Sequence, residues 1–146
     1  MKKIFFTVLV SFLSAQACPD LSGIYTCGYD QNSGEPNKLT IYQDDAITYR
    51  IKLFGSNNEL TFTANDKILS YEDETYSQSY LTSCPADTAS LQFKSNLFHK
   101  IENWTQVMTS TFIKTAENKI DFIIDQDIFK KDKDTHFSVN FHCKKN

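Results

Sequence analysis

The chain contains very little arginine, since fourteen of its fifteen basic residues are lysine and Arg50 is the exception. Arginine is the side chain best suited to bidentate binding of phosphate and carboxylate groups. The formal net charge is −3, and it becomes −5 without residues 1–17, which carry Lys2 and Lys3. An acidic chain with a single arginine is not expected to bind nucleic acid or another phosphate-rich surface.

Two further absences limit the fold classes that the chain can adopt. After residue 17 no apolar stretch approaches the ~20 residues that cross a membrane as a helix, so we expect no membrane span. No long segment shows the apolar period of an α-helix. The sequence therefore predicts a β protein that does not span a membrane.

Motifs for catalysis and cofactor binding are also absent. There is no Gly-x-Ser-x-Gly turn and no phosphate-binding loop. His136 and His142 are about 20 Å apart along an extended strand, too far to bind one metal ion, and we expect these residues and His99 at the surface or a barrel rim. We expect a non-enzymatic protein without a cofactor.

A group of aspartates near the C-terminus does not match a calcium site. The spacing and the central glycine of an EF-hand loop are missing, so a solvated charge cluster is expected. The residues of this cluster are Asp125, Asp127, Asp132 and Asp134.

What the sequence does contain begins with an export signal. Lys2 and Lys3 form a positive region, residues 4–13 form an apolar region, and Ala15-Gln16-Ala17 is a small-residue cleavage site. We expect a signal peptide at residues 1–17 and a single disulfide-bonded β domain at residues 18–146. The protein would then be periplasmic or secreted, and we expect a monomer.

An even number of cysteines in an exported chain predicts two disulfides, formed by Cys18, Cys27, Cys84 and Cys143. A cysteine directly after a cleavage site is also where bacterial lipoproteins are acylated. Ala15, however, stands where lipoprotein signals usually have leucine, and acylation of Cys18 would leave an odd number of thiols. We therefore favour a disulfide at Cys18 over a lipid anchor.

The connectivity of these cysteines remains open from sequence. In a closed barrel the first and last strands are neighbours, so one possible pattern pairs Cys27 with Cys143 and leaves Cys18 for Cys84. The competing local pattern pairs Cys18 with Cys27 and Cys84 with Cys143.

Short segments rich in Tyr, Phe, Ile, Val and Thr alternate with clusters of Asn, Asp, Gly and Ser, a pattern typical of antiparallel strands. Asp44-Asp45, Asn65-Asp66 and Glu117-Asn118 predict tight hairpin turns, so that strands adjacent in sequence should be adjacent in the sheet. Residues 125–134 are expected to form a solvated loop. The ten predicted strands are 22–29, 37–43, 46–54, 58–64, 67–71, 75–82, 89–99, 103–115, 118–126 and 135–144.

Apolar residues alternate along these strands, as in Ile120, Phe122 and Ile124, so each strand has one apolar face. Ten short strands of this kind must curl, because a flat sheet would expose that face and two edges. The run of hairpins favours an antiparallel up-and-down β-barrel of about 8–10 strands. A β-sandwich is the alternative.

The first predicted strand carries a family resemblance. Gly23-Ile24-Tyr25, followed by a series of hairpins, resembles the opening Gly-x-Trp strand of the lipocalin group, or calycin-type barrels. The resemblance implies a lipocalin-like barrel in which the ring of Tyr25 plugs the closed end. Tyr25 stands where the family has tryptophan, and the Thr-Asp-Tyr motif is missing, so the likeness is confined to this strand and the general pattern.

A second resemblance is to the periplasmic lysozyme inhibitors, which are small exported β-barrels. Tyr25-Thr26-Cys27 and Cys143 are similar to the Tyr-x-Cys and the terminal cysteine of that family. The inhibitory Ser-Gly-x-x-Tyr loop has no match, because Ser22-Gly23-Ile24-Tyr25 is one residue too short and lies at the other end of the chain.

The strand at 103–115 is the best candidate for a ligand surface. Trp104, Met108 and Phe112 share one face, and if that face points inward its aromatic and thioether groups suit a small apolar ligand at the mouth of a barrel. The alternative is that these side chains simply fill the interior. We expect an exported lipocalin-like protein that binds a small apolar ligand, or alternatively a periplasmic protein-binding module such as a lysozyme inhibitor.

Overall fold

The computed structural model describes residues 18–29, 37–86 and 88–146, and the predicted signal peptide at residues 1–17 lies outside them. The described residues contain no helix, and therefore none with the length and apolarity to cross a membrane. All ten predicted strands are confirmed, with ends shifted by a few residues. They are β1 (Gly23–Tyr29), β2 (Asn37–Gln43), β3 (Thr48–Lys52), β4 (Leu60–Thr63), β5 (Ile68–Glu72), β6 (Tyr76–Ser83), β7 (Ser90–His99), β8 (Trp104–Ala116), β9 (Lys119–Phe129) and β10 (Thr135–Lys145).

The ten strands form one antiparallel sheet in the order β4-β3-β2-β1-β10-β9-β8-β7-β6-β5. The turns predicted at Asp44-Asp45 and Glu117-Asn118 join strands that pair with each other. The first and last strands, β1 and β10, also pair. Among the described residues β4 and β5 are the two edges, so the sheet is not closed. We call the unpaired boundary between β4 and β5 the seam.

The turn at Asn65 and Asp66 is where the prediction of paired neighbours is wrong. Asp66 adopts a left-handed φ of 55°, as a tight turn requires, but the strands on either side do not pair within the described chain. The N–H of Ala64 donates to the carbonyl of Ile47 at 2.8 Å, and the N–H of Asp66 donates to the carbonyl of Thr82 at 3.4 Å. The two sides of the turn are thus bonded to opposite halves of the sheet, the β3 side and the β6 side.

The two disulfides follow the long-range pattern: Cys27 pairs with Cys143, and Cys18 pairs with Cys84. Cys27 and Cys143 lie directly opposite each other on β1 and β10, with their Cα atoms 3.9 Å apart. The local alternative is therefore excluded. Two intramolecular disulfides indicate an oxidising environment.

Residues 18–22, which we call the N-terminal arm, pack against the inner face of the sheet. Leu21 is completely buried. The Tyr49 hydroxyl donates to the Pro19 carbonyl at 2.6 Å, and the Tyr25 hydroxyl donates to the Leu21 carbonyl at 2.9 Å. The disulfide of Cys18 attaches the arm to the end of β6. The arm therefore connects β1, β3 and β6 across one end of the sheet.

Gly23 permits a close approach at the start of β1. Its φ is +156°, and a Cβ atom there would lie 2.7 Å from Cε of Lys145 and 3.2 Å from the ring of Tyr25. Tyr25 is buried beside it, with 3 % of its surface exposed. A side chain at position 23 would displace these neighbours.

The core lies beneath the arm and is built around Phe122. Its ring centroid is 4.3 Å from that of Phe112, 5.8 Å from that of Phe141 and 6.0 Å from that of Phe54. Aliphatic side chains on the inner face complete the packing. The fully buried ones are Leu39, Ile41, Ile51, Leu91 and Ile120. We call these residues together with the N-terminal arm the packed end.

The inner face is not buried along its whole length. Strands β1 to β4 have between four and seven residues, whereas β6 to β10 have between eight and thirteen. In the described residues β1 pairs with positions 141–145 of β10, while β9 pairs with positions 135–144. Phe137, near the start of β10 and beyond the part that pairs with β1, is 49 % exposed. The opposite end of the long strands is thus open, and we call it the open end.

The loop predicted at residues 125–134 is shorter than expected, because β9 continues through Phe129. Asp125 and Asp127 belong to this strand and contact Ser138 and His136 on β10. The carboxylates alternate with inward-facing residues, and the high density of charge concealed that alternation in the sequence. Only residues 130–134 connect the last two strands.

Candidate functional site

The seam holds an open cavity of about 330 Å³. Strand β4 forms one wall, and β5, β6 and β7 form the other. Cavities of a few hundred Å³ with a mainly apolar lining and a few polar groups are typical of small-molecule sites. The apolar and aromatic lining residues are Leu60, Phe62, Leu69, Tyr80 and Phe93, and the polar ones are Thr61, Thr63, Asn65, Lys67, Gln78 and Thr82.

Phe93 contacts both walls of this cavity. Its ring lies edge-on to that of Phe62 on β4, with centroids 5.0 Å apart, and 5.9 Å from the ring of Tyr80 on β6. Phe93 is opposite Thr82 in the pairing of β7 with β6. Side chains therefore bridge the seam at a place where, in the described chain, the strands do not.

The polar part of the lining carries positive charge without a compensating negative charge. Lys67 is the single charged residue among the described lining residues, which include no carboxylate. The Asn65 side-chain carbonyl accepts the N–H of Lys67 at 3.1 Å and so fixes the turn from which Lys67 projects. Thr82 is buried, with 5 % of its surface exposed. The cavity thus combines an apolar interior with one ammonium group.

The single arginine takes part in a separate surface cluster. Arg50 contacts Asp44 at 2.8 Å and Glu59 at 3.0 Å, and its guanidinium lies 4.9 Å from the ring centroid of Tyr42. The hydrogen bonds that Arg50 donates to Asp44 and then to Glu59 raise its pKa. Arg50 is thus bound within the short-stranded half and does not line the cavity.

The three residues predicted to bind a ligand lie on the inner face of β8 but in different surroundings. Phe112 is buried in the packed end and stacks on Phe122. Met108 and Trp104 are half-buried and lie progressively nearer the open end. The structure therefore places Phe112 in the core, and ligand binding at Trp104 and Met108 stays a prediction.

Met108 is connected to the seam cavity along one row of the sheet. It pairs with Ser95 on β7, and Ser95 pairs with Tyr80 on β6. Residues that pair across antiparallel strands share a face. The cavity and the predicted ligand surface are therefore parts of one continuous inner face.

Trp104 is held in an aromatic cluster at the β7–β8 turn. Its ring stacks on His99 with centroids 5.3 Å apart, and the ring of Tyr76 lies edge-on to His99 at 4.7 Å. Trp104 Nε1 donates to the Glu102 carboxylate at 2.8 Å, and His99 Nδ1 accepts the N–H of Glu102 at 3.1 Å. His99 is buried, so these contacts give it a structural role in the turn.

The other two histidines are exposed on the outer face, as expected. His136 Nδ1 lies 2.7 Å from Asp127, and His142 Nδ1 lies 2.8 Å from Asp121. The second pair lines a shallow depression of about 350 Å³ together with Thr115. A histidine–aspartate contact is one component of general-base sites, but this pair lies on the face opposite to the seam cavity.

Metal binding has no support in the described part of the chain. No group of three or more His, Cys, Asp or Glu side chains there is arranged to hold a metal ion. The aspartates of the predicted charge cluster are divided between β9 and the loop that follows it.

A larger depression, of about 550 Å³, lies beside the Cys18–Cys84 disulfide. Polar atoms provide most of its exposed lining, so it suits an apolar ligand less well than the seam cavity does. The remaining residues around it are Ala64, Asp66, Ser83, Pro85, Ala86, Gln92 and Lys94.

Sequence reasoning did not identify Phe62, Tyr80 or Phe93 as site residues. Each was predicted within a strand, but the cavity exists because β4 and β5 do not pair, and no sequence pattern marked that break. Searches of family models, curated proteins and solved structures found no match to the chain.

Proposed function

We propose that this protein is an exported, non-enzymatic binding protein that holds a small apolar ligand in the seam cavity. The observation that carries the proposal is the cavity itself, an opening of about 330 Å³ with five apolar or aromatic side chains in its lining. Such a lining favours an apolar molecule through burial of its surface.

We further propose a lipocalin-like up-and-down barrel, opened at the seam, in preference to a β-sandwich. The successive pairing of neighbouring strands and the pairing of β1 with β10 support this architecture. The contact of Phe62 with Phe93 across the seam also supports it. Barrels of about this size hold small ligands on their inner face.

The lining also indicates the character of the ligand. With Lys67 as the only charge among the described lining residues, the cavity favours a neutral or anionic apolar molecule over a cationic one. Trp104 and Met108 would extend the contact surface for a longer ligand, since they lie on the same inner face.

Two observations support export and binding without catalysis. The disulfides suit the periplasm or the exterior, in agreement with the predicted signal peptide. Among the described lining residues there is no histidine, cysteine or carboxylate, the groups that most often act in acid–base or nucleophilic catalysis.

Fluorescence titration with anilinonaphthalene sulfonate, an anionic apolar probe, tests the proposal. Leu69 and Ile68 are neighbours on β5, but only Leu69 lines the cavity. We expect Leu69→Ala and Phe93→Ala to weaken probe binding at least about fivefold, and the matched control Ile68→Ala to leave it unchanged. Near-UV circular dichroism verifies that each variant is folded.

Two results would contradict the seam as the binding site. One is a loss of affinity in Trp104→Ala and Met108→Ala without a loss in Leu69→Ala, which would place the probe on β8. The other is no saturable binding at all, which would favour the alternative of a protein-binding module.

A further inference from the structure

Strand β5 is exposed on both of its faces, unlike any other strand with comparable apolar content in the described chain. Ile68 is 69 % exposed, Leu69 51 % and Tyr71 58 %. Proteins usually protect a sheet edge with charge, proline or a bulge, because an unprotected edge pairs readily with another strand. The centre of β5 has none of these.

The backbone of β5 alternates between its partner strand and the free edge. The N–H of Asp73 donates to the carbonyl of Tyr76 at 2.9 Å, which fixes the phase of the ladder with β6. In an antiparallel ladder the backbone groups of every second residue bond to the same neighbouring strand. The N–H and C=O groups of Leu69 and Tyr71 therefore point to β6. The residues whose N–H and C=O groups point to the free edge are Ile68, Ser70 and Glu72.

We propose that two copies of this protein pair through β5, edge to edge and antiparallel, with a two-fold axis at Ser70. In this register Ser70 lies opposite Ser70 of the second copy, and Ile68 lies opposite Glu72. Every outward-facing residue of both strands is then paired, which gives about six backbone hydrogen bonds. The arrangement is self-complementary, as a two-fold interface requires.

The side chains favour the same register. Leu69 lies opposite Tyr71 of the second copy, an aliphatic–aromatic pair, and Lys67 lies opposite Asp73, a pair of opposite charges. Moving the axis to Leu69 would place Asp66 opposite Glu72 and pair fewer outward-facing residues. The axis at Ser70 thus gives both the most hydrogen bonds and complementary charge.

The pairing would also change the seam. Tyr71 of the second copy would lie beside Leu69, which lines the cavity, and would lengthen that wall. The inference goes beyond the proposed ligand binding and does not depend on it. A contact between two five-residue strands is small, so we infer a weak, concentration-dependent dimer in place of the expected monomer.

Sedimentation velocity of the disulfide-bonded protein from about 1 to 500 µM tests the dimer, in the range expected of small interfaces. Ser70→Pro removes an outward-facing N–H and leaves the bonds to β6 in place. We expect it to raise the dissociation constant at least about tenfold. The matched control is Thr61→Pro on β4, whose N–H also points to a free edge by the phase set at Ala64, and it should leave the dimer unchanged.

A second variant leaves the backbone unaltered. Lys67→Glu places a like charge opposite Asp73 and should weaken the dimer, and added salt should weaken the wild-type dimer as well. Ser70→Cys should form an intermolecular disulfide, whereas Thr61→Cys should not.

The inference is overturned if the wild type stays monomeric over the whole range, if the dimer persists in both Ser70→Pro and Lys67→Glu, or if Thr61→Pro weakens it equally. Probe binding separates this test from the previous one. Ser70→Pro should still bind the probe, and Phe93→Ala should still dimerise.

Discussion

The packed end and the seam have the same apolar alternation in sequence, but the apolar side chains are buried in the first region and partly exposed in the second. Ile51 on β3 and Leu60 on β4 lie directly opposite each other in the sheet, yet Ile51 is fully buried and Leu60 is 46 % exposed. The two residues are similar in size and share a face. Apolar alternation therefore selects the inner face, whereas burial depends on what covers that face.

At the packed end the cover is the N-terminal arm. Leu21 fills the interior, and Tyr49 and Cys18 attach the arm to the sheet. At the seam, β4 and β5 are edges in the described chain, and the contact between Phe62 and Phe93 bridges them. The difference predicts that stability resides in the first region and binding in the second.

The largest expected effect is on stability at the packed end. Phe122→Ala removes the ring at the centre of the aromatic core and should lower the free energy of unfolding by about 3–5 kcal/mol. Leu69→Ala at the seam should lower it by less than about 1 kcal/mol, because that side chain is half exposed. Urea unfolding measures both, and similar losses in the two variants would refute the division.

An intermediate effect is expected from removal of the Cys18–Cys84 disulfide. Cys18→Ser with Cys84→Ser should cost about 2–4 kcal/mol in the free energy of unfolding. It should also increase hydrogen exchange in β4 and β5, because this bridge holds the arm to β6 near the seam.

The matched control is Cys27→Ser with Cys143→Ser, which removes the bridge between β1 and β10. This variant should also be destabilised, but without preferential exchange at β4 and β5. Equal exchange in the two double variants would show that the arm does not restrain the seam.

The smallest expected effect is on the loss of stability at acidic pH. Two aspartates in turns on different sides of the molecule, Asp45 and Asp73, allow a comparison. The Asp45 carboxylate accepts the N–H of Ile47 at 2.9 Å and that of Thr48 at 2.8 Å, and the bond from Ile47 does most to lower its pKa. In the turn between β5 and β6, hydrogen bonds from the backbone N–H groups of Tyr76 and then Thr75 lower the pKa of Asp73.

A carboxyl group with a lowered pKa stabilises the fold above its ordinary value of 3.8, and this contribution is lost as the pH falls through the folded-state pKa. Asp45→Asn and Asp73→Asn should therefore each reduce the drop in melting temperature between about pH 5 and pH 2 by a small and similar amount. Unchanged melting curves across that range would contradict the role of both carboxylates.

Local features of this protein could be predicted from its sequence. The ten strands and their apolar faces follow from alternation and turn residues, whereas the sequence left open whether the cysteines pair in the long-range or the local pattern. The end of β9 could not be predicted, because Asp125 and Asp127 make this part of the sequence look like a charged loop. Their pairing with β10 extends the strand through them.

The candidate site was less accessible from sequence. Phe62 and Phe93 lie on different strands far apart in the chain, and they meet because the hydrogen bonds of Ala64 and Asp66 go to opposite halves of the sheet. The partners of these two hydrogen bonds, Ile47 and Thr82, are distant in sequence from the turn, so local sequence does not predict them. Trp104 and Met108, whose ligand binding stays a prediction, could be grouped from the sequence because they lie on a single strand.

The positions of the two disulfides have a mechanical consequence. Cys27–Cys143 crosses the β1–β10 pair in the interior of the strand order, while Cys18–Cys84 restrains the outer strands near the Asn65 turn. The sheet is therefore held by one disulfide in the middle of its strand order and by the other at one end of the seam. In the described chain no disulfide joins the two edges at the other end of the seam, and we expect the proposed ligand to enter from that side.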